Sequence, residues 1–170
     1  MTNRWPLQKD CKAYYGDPDS DGNGEPNRDW EDANLVRVVP PWAMYLAWSP
    51  TTQIKNIRIH RKCAASLSSI LGTIWAHYGA SQEKIEQARL HLYGGAYNFR
   101  TMRGSTKLSN HAYGAAIDLD PSNNPLGKAW NPDHGMIPMD VVQIFEAEGW
   151  TFGGRWQRPD AQHFESVKRG

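Results

Sequence analysis

Leu108-Ser109-Asn110-His111-Ala112-Tyr113-Gly114-Ala115-Ala116-Ile117-Asp118-Leu119-Asp120 gathers a serine, a histidine, a glycine and two aspartates around one short apolar run. Ile117 and Leu119 alternate with Asp118 and Asp120, the period of a strand with one buried face. Both aspartates then point away from the core. His111 lies upstream, and a turn at Gly114 can fold the intervening segment so that His111 and Asp118 reach one point. Ala112, Ala115 and Ala116 are small enough to let other backbone come close. This stretch is half of a metal site. The best candidate for the other half is His163, which Asp160 precedes by three residues.

Two imidazoles and one carboxylate, with a fourth position open to water, is the usual plan of a hydrolytic zinc site. The open position lets water ionise near neutral pH and attack a carbonyl. A carboxylate three residues from a ligand histidine can sit beside that water as its base, and Asp160 is so placed. Amide hydrolysis also puts negative charge on the former carbonyl oxygen. Arg100 or Arg103, just upstream of the quoted stretch, can supply a fixed planar cation for it.

A chain of 170 residues is most simply one domain with ample length for a core. The formal net charge is +1, and the basic residues are scattered, so charge argues for neither nucleic acid nor an anionic membrane as partner. The eight tryptophans serve either to stack flat ligands or to fill the core. Cys11 and Cys63 show no CxxC spacing. Cys63 reads as a small buried hydrophobe, and a disulfide between the two is left open. MTNRWPLQKD has no apolar h-region, so no signal peptide is expected, and no window approaches a membrane span. A cytoplasmic protein is the expectation.

Residues 1–16 read as an irregular arm packed on the core. Residues 17–32 form an acidic, glycine-rich loop. Asp17, Asp19, Asp21 and Gly22 resemble the start of an EF-hand, but the twelfth position, which needs a bidentate glutamate, is Arg28. A solvated loop with at most weak calcium binding is the expectation. Residues 33–58 read as extended or turned around Pro40-Pro41-Trp42. Residues 59–78 are the clearest helix, with Cys63, Leu67, Ile70, Leu71, Ile74 and Trp75 on one stripe and Gly79 as its stop. Residues 81–87 read as a polar loop or a short turn of helix. Arg89–Tyr93 reads as a strand, Gly94-Gly95 as a turn, and Ala96–Arg100 as the partner strand. Residues 121–137 read as a long surface loop, and Pro138–Glu148 as a second helix. Trp150–Phe152 is a short strand, Gly153-Gly154 a turn, and Phe164 anchors a last strand. The predicted class is α+β, a small antiparallel sheet flanked by helices. Residues 1–170 form one domain, with 1–55 as arm and loop on its core.

Ser109-x-His111-x-x-Gly114-x-Ala116-x-Asp118, followed by Asp160-x-x-His163, resembles the signature of a family of zinc peptidases of peptidoglycan. That family includes D-Ala-D-Ala carboxypeptidases and dipeptidases and the L-alanyl-D-glutamate endopeptidases of phage endolysins. Tyr97-Asn98-Phe99-Arg100 and the ending from Gly149 to Glu165 are similar to the endolysin branch. The resemblance covers roughly residues 90–166, and the helix at 59–78 more loosely. It implies a Hedgehog/DD-peptidase-like fold with zinc in a cleft on the sheet. It implies His111, Asp118 and His163 as zinc ligands, Asp160 as the catalytic acid/base, and Arg100 as holder of the scissile carbonyl. The first 55 residues match nothing that can be placed, and no cell-wall-binding repeat is evident.

Ser109 reads as a hydrogen-bonding support, since nothing like Gly-x-Ser-x-Gly surrounds it. Asp120 either steadies a histidine or caps the loop at Pro121. Trp42, Trp150 and Trp156 either wall the cleft or pack in the core, and His134 reads as a solvated loop residue. His60, His77 and His91 receive no role. The resemblance, with the missing h-region, implies a monomeric peptidase of the bacterial stem peptide, held in the host cytoplasm until a holin releases it to the wall. Neither nucleic acid nor membrane insertion is expected. The alternative is a non-catalytic, zinc-stabilised wall-binding module. The scissile bond, and endo- versus carboxypeptidase action, are left open.

Overall fold

The computed structural model describes residues 4–170. Among the described residues, five α-helices and eight strands follow one another. α1 (Cys11–Tyr15) and α2 (Arg28–Asn34) precede β1 (Leu35–Val38), β2 (Tyr45–Leu46), β3 (Ser49–Gln53) and β4 (Ile57–His60). Then come α3 (Arg61–His77), α4 (Gln82–Gln87), β5 (Leu92–Gly95), β6 (Ala116–Leu119), α5 (Met139–Ala147), β7 (Thr151–Phe152) and β8 (His163–Glu165). β1 and β4 form a two-stranded sheet, and the others form a six-stranded sheet in the order β3-β2-β5-β6-β8-β7. The class is α+β, as expected. The sheet is mixed rather than antiparallel throughout, because β2 runs parallel to β5.

α3 forms where its apolar residues recur at helical spacing. Cys63, Leu67, Ile70, Leu71 and Ile74 are all fully buried, and each large side chain contributes about 1.5–3 kcal/mol by leaving water. The His60 ring caps its start by accepting from Lys62 N at 3.1 Å, and Gly79 stops it with a left-handed φ of 69°. α5 buries Val141, Val142 and Phe145. Phe145 stacks on Phe164 of β8 with centroids 3.9 Å apart, which ties that helix to the sheet. α3 and α5 pack against each other on the core. Ile117, Leu119 and Phe164 point into that core, so Asp118 and His163, one step out of phase, face the opposite side.

The N-terminal segment is more ordered than an irregular arm. Cys11 and Tyr15, four apart, put one apolar stripe on a helix too short for its period to stand out. Tyr15 Oη donates to Ser166 O at 2.6 Å, and Trp5 Nε1 donates to Glu148 O at 3.0 Å. The acidic loop ends earlier than predicted. Asn27 caps α2 by accepting from Trp30 N at 3.0 Å. Trp30 then packs so closely on Gly16 that a Cβ there would lie 2.6 Å from its indole nitrogen. Cys11 and Cys63 are buried free thiols, so the disulfide left open is not formed.

The predicted hairpin around Gly94-Gly95 is also corrected. Arg89 has a left-handed φ of 61° and closes a turn after α4, so the strand begins only at Leu92. Gly94 and Gly95 lie within β5, bulged against β6. Helix-terminating geometry at Arg89 and close packing at Gly94 override the local alternation. Residues 121–137 run along the surface but are anchored by fully buried Asn124, which donates to Asp120 O at 2.8 Å and accepts from Ile137 N at 2.9 Å. Among the described residues, no helix is long and apolar enough to cross a membrane.

Candidate metal centre

Ser109 begins the site by capping a 3₁₀ turn, Asn110–Tyr113, on which His111 rides. Gly114 ends the turn with φ 66°, and a Cβ there would meet His60 N and Leu35 Cδ2, each at 2.8 Å. Only glycine fits that close left-handed position. The chain then enters β6, where Asp118 pairs with His163 of β8 on one side and Gly95 of β5 on the other. A Cβ on Gly94 would lie 3.0 Å from Asp118 Cβ, so the glycine leaves Asp118 room. Gly153 does the same for Asp160, whose carbonyl would be 2.5 Å from an added Cβ. Asp160 N donates to Gly153 O at 2.9 Å and His163 N donates to Asp160 O at 3.1 Å, which folds Asp160 back beside the imidazole.

Three donor atoms converge. His111 Nε2 lies 3.2 Å from His163 Nδ1 and 3.3 Å from Asp118 Oδ2, and His163 Nδ1 lies 3.0 Å from Asp118 Oδ1. Donors about 2.0 Å from a tetrahedral zinc stand about 3.3 Å from one another, so these separations suit that ion. Among the described residues, these are the one group of three or more His, Cys, Asp or Glu side chains placed to hold a metal.

The far ring nitrogens fix the tautomers. His111 Nδ1 donates to Ala96 O at 2.7 Å, which leaves the Nε2 lone pair for the site. His163 Nε2 donates to Glu165 Oε2 at 2.8 Å, which turns Nδ1 inward. Burial alone would raise the Asp118 carboxyl, but the His111 and His163 imidazoles hold it well below the usual carboxylate range. Burial would lower His163, yet Asp118 and Glu165 together push it up to about 10. Asp160 behaves oppositely to Asp118. Burial raises its carboxyl, and its Oδ1 is buried without a hydrogen-bond partner.

A cavity of about 150 Å³ opens beside these residues, lined by His111, His163, Asp160, Ser109, Arg100 and Trp156. Arg103 lines it as well, so both candidate arginines border the same space. Trp156 stands with its ring 5.4 Å from that of His163, and the Arg169 guanidinium covers it at 3.8 Å. It is therefore a wall of the cavity. Trp42 and Trp150 belong to the core.

Asp120 does not reach the histidines. The strand ends in a left-handed turn at Asp120, with φ 45°, and its carboxylate takes two hydrogen bonds from Arg89 at 2.9 and 3.0 Å. It fixes the loop that follows, the second of its two expected placements. The carboxylate behind His163 is instead Glu165, which the sequence reading overlooked. Glu165 is fully buried, and besides His163 it accepts from Asn110 Nδ2 at 2.8 Å and Arg169 Nε at 2.9 Å. Asn110 in turn exchanges two hydrogen bonds with Gln8, at 2.7 and 2.9 Å. The His-x-Glu spacing on a strand was the available signal, since it puts both side chains on one face.

Residues 103–166 match the family model described as D-alanyl-D-alanine carboxypeptidase. No curated protein and no solved structure matches the chain. The matched stretch contains all three donors, Asp160, Trp156 and Glu165, while Arg100 lies just before it. Over that stretch the chain is similar to the D-alanyl-D-alanine carboxypeptidase family of peptidases, which agrees with the resemblance carried by the histidine and aspartate motifs.

Proposed function

We propose that this chain is a zinc-dependent peptidase that hydrolyses an amide bond in the stem peptide of bacterial peptidoglycan, as a phage or prophage endolysin. The observation that carries the reading is the convergence of two inward imidazole lone pairs and one carboxylate beside a second, unpaired carboxylate. His111, Asp118 and His163 would hold the zinc, and two imidazoles favour it over harder ions. Zinc bound there supplies a Lewis acid that activates water and polarises a carbonyl.

The chain's own groups supply the rest. Asp160 takes a proton from the attacking water and returns it to the leaving amine. Its raised affinity for a proton suits both transfers. Arg100, exposed at the edge of the cavity, holds the scissile carbonyl oxygen as charge develops on it. Ser109 steadies the turn that carries His111. The protein acts as a monomer. Residence in the host cytoplasm and release through a holin rest on the endolysin-like segments Tyr97–Arg100 and Gly149–Glu165.

Digestion of purified peptidoglycan, with new amino termini identified by mass spectrometry, tests the proposal. One stem-peptide bond should open, cleavage should stop with a chelator, and zinc should restore it. No new terminus in zinc-replete buffer would overturn the enzyme reading. Binding to the wall without cleavage would favour a zinc-stabilised binding module, a role for which Asp160 would have no use.

A further inference from the structure

Glu165, fully buried behind His163, is held from both ends of the chain. Its Oε2 accepts from Asn110 Nδ2 at 2.8 Å and its Oε1 from Arg169 Nε at 2.9 Å. Asn110 stands next to His111 on the 3₁₀ turn, so its side chain ties the element that carries one metal donor to the strand that carries another. Asn110 is itself only 3% exposed, and its amide has a second N–H and a carbonyl oxygen to satisfy. Gln8 meets both. Its Oε1 accepts from Asn110 Nδ2 at 2.7 Å, and its Nε2 donates to Asn110 Oδ1 at 2.9 Å. The Cys11 thiol, a weak donor 3.8 Å from that oxygen, is a poor substitute.

Backbone pairing puts Gln8 in place. Gln8 N donates to Lys168 O at 3.0 Å, and Lys168 N donates to Pro6 O at 2.8 Å, just beyond the end of β8. Trp5 anchors the same segment, with its ring edge-on to that of Trp150 and its Nε1 on Glu148 O. The pairing at Lys168 also sets its neighbour Arg169, whose guanidinium lies over the Trp156 wall at 3.8 Å while it holds Glu165. Gln8 and Arg169 both fall outside residues 103–166, the stretch that the family model matches. Without Gln8 the buried Asn110 amide would be left with unpaired groups and would turn towards water. Glu165 would then lose a charge-assisted bond that fixes it behind the His163 ring.

We propose that the N-terminal segment is a functional part of the metal centre, with Gln8 as a positioning residue that holds the Asn110 amide on Glu165 and so orients His163 for a metal ion. The inference rests on the metal-centre reading above. It extends that centre to a residue three hydrogen bonds away from His163, through Asn110 and Glu165.

Zinc affinity of the full chain, measured by competition with a chromogenic chelator, tests it. Gln8→Met keeps the length of the side chain and removes both polar atoms. It should weaken zinc binding about tenfold, the lower limit for losing a partner behind a metal-ligating histidine. Asn110→Ala should weaken it at least as much. In that background Gln8→Met should add no more than about twofold, because the two residues act in series. With cobalt in place of zinc, the visible absorption bands should shift in Gln8→Met. Trp5→Phe is the structural control. It loosens the segment at its bond to Glu148 O and should lower the melting temperature, yet zinc affinity and the cobalt spectrum should stay as in the wild type. Wild-type zinc affinity or an unshifted cobalt spectrum in Gln8→Met would overturn this inference alone. So would an undiminished effect of Gln8→Met in the Asn110→Ala background, or an equal loss of zinc affinity in Trp5→Phe. A wild-type protein that binds no zinc would overturn the metal-centre reading itself, and this inference with it.

Discussion

His60 and His163 are both buried, with 0% and 6% of their surface exposed, yet their protons behave in opposite ways. At the junction of β4 and α3, His60 Nε2 donates to Tyr15 O at 3.0 Å while Nδ1 accepts from Lys62 N at 3.1 Å. The neutral ring is fully satisfied, and a second proton would face an N–H. Burial therefore pulls it down to about 4, against the modest opposite pull of the Tyr15 carbonyl. His163 suffers the same burial but stands between Asp118 and Glu165, and it is pushed up to about 10. Burial is common to both, so the partners decide. A histidine that shares its site with carboxylates holds a cation there, and a proton on Nδ1 in the metal-free protein occupies the place a metal would take.

The largest effects should follow from removing that place. His163→Ala should lose both zinc binding and all measurable cleavage of peptidoglycan, whereas His60→Asn, with a cap that can still accept from Lys62 N, should keep its zinc. Asp160→Ala separates chemistry from metal binding. It should lower kcat/KM by about 10²–10⁴-fold while zinc content, read by metal analysis, stays stoichiometric. Zinc lost from Asp160→Ala, or cleavage retained by it, would break the division of labour drawn here.

Stability against pH should show the two histidines separately in chelator-treated protein. His60 has a folded value of about 4, below the 6.5 of an ordinary histidine, so the unfolded chain binds more protons between them. Its contribution is full above 6.5 and lost as pH falls towards 4, about 3 kcal/mol in all. His163 has the opposite sign. Its contribution is full below 6.5 and is lost as pH rises towards 10. Asp118 and Glu165 are held low, so their contribution disappears only in stronger acid. Urea unfolding should give a curve that climbs from pH 4 to 6.5 and declines above it. His60→Asn should flatten the acid limb alone, and saturating zinc should abolish the alkaline one. An unchanged acid limb in His60→Asn would show that another group carries it.

The parts of this architecture legible in the sequence are those with a period or a fixed spacing. α3 announces itself through Cys63, Leu67, Ile70, Leu71 and Ile74, and the order Ser109, His111, Gly114, Asp118, then Asp160 and His163 marks the segments that the fold brings together. Illegible parts depend on contacts between distant residues. Gly94 reads as a turn because glycine is common there, but it lies in a strand since Asp118 of the next strand needs the space. Asp120 looks equivalent to Asp118 until Arg89, thirty-one residues earlier, takes it away. Cys11–Tyr15 is too short for a helical stripe to be recognised, although it reaches Ser166 at the other end of the chain. Gln8 and Asn110 carry no motif and meet only through the tertiary fold.

Glu165→Gln makes the smallest and most discriminating change, because it makes His163 more like His60. Glutamine keeps the length and one accepting oxygen for His163 Nε2, but it withdraws the charge that Asn110 and Arg169 now surround. Zinc affinity, measured by competition with a chromogenic chelator, should fall by about 10- to 100-fold without loss of the fold. With one of its two carboxylates gone, His163 should release its proton at lower pH, and the alkaline limb of the stability curve should move down with it. A merely structural Glu165 would lower stability across the whole pH range and leave that limb in place. If zinc affinity stayed within about twofold of wild type, Asp118 alone would be sufficient to orient the ring, and the contrast with His60 would reduce to a single carboxylate.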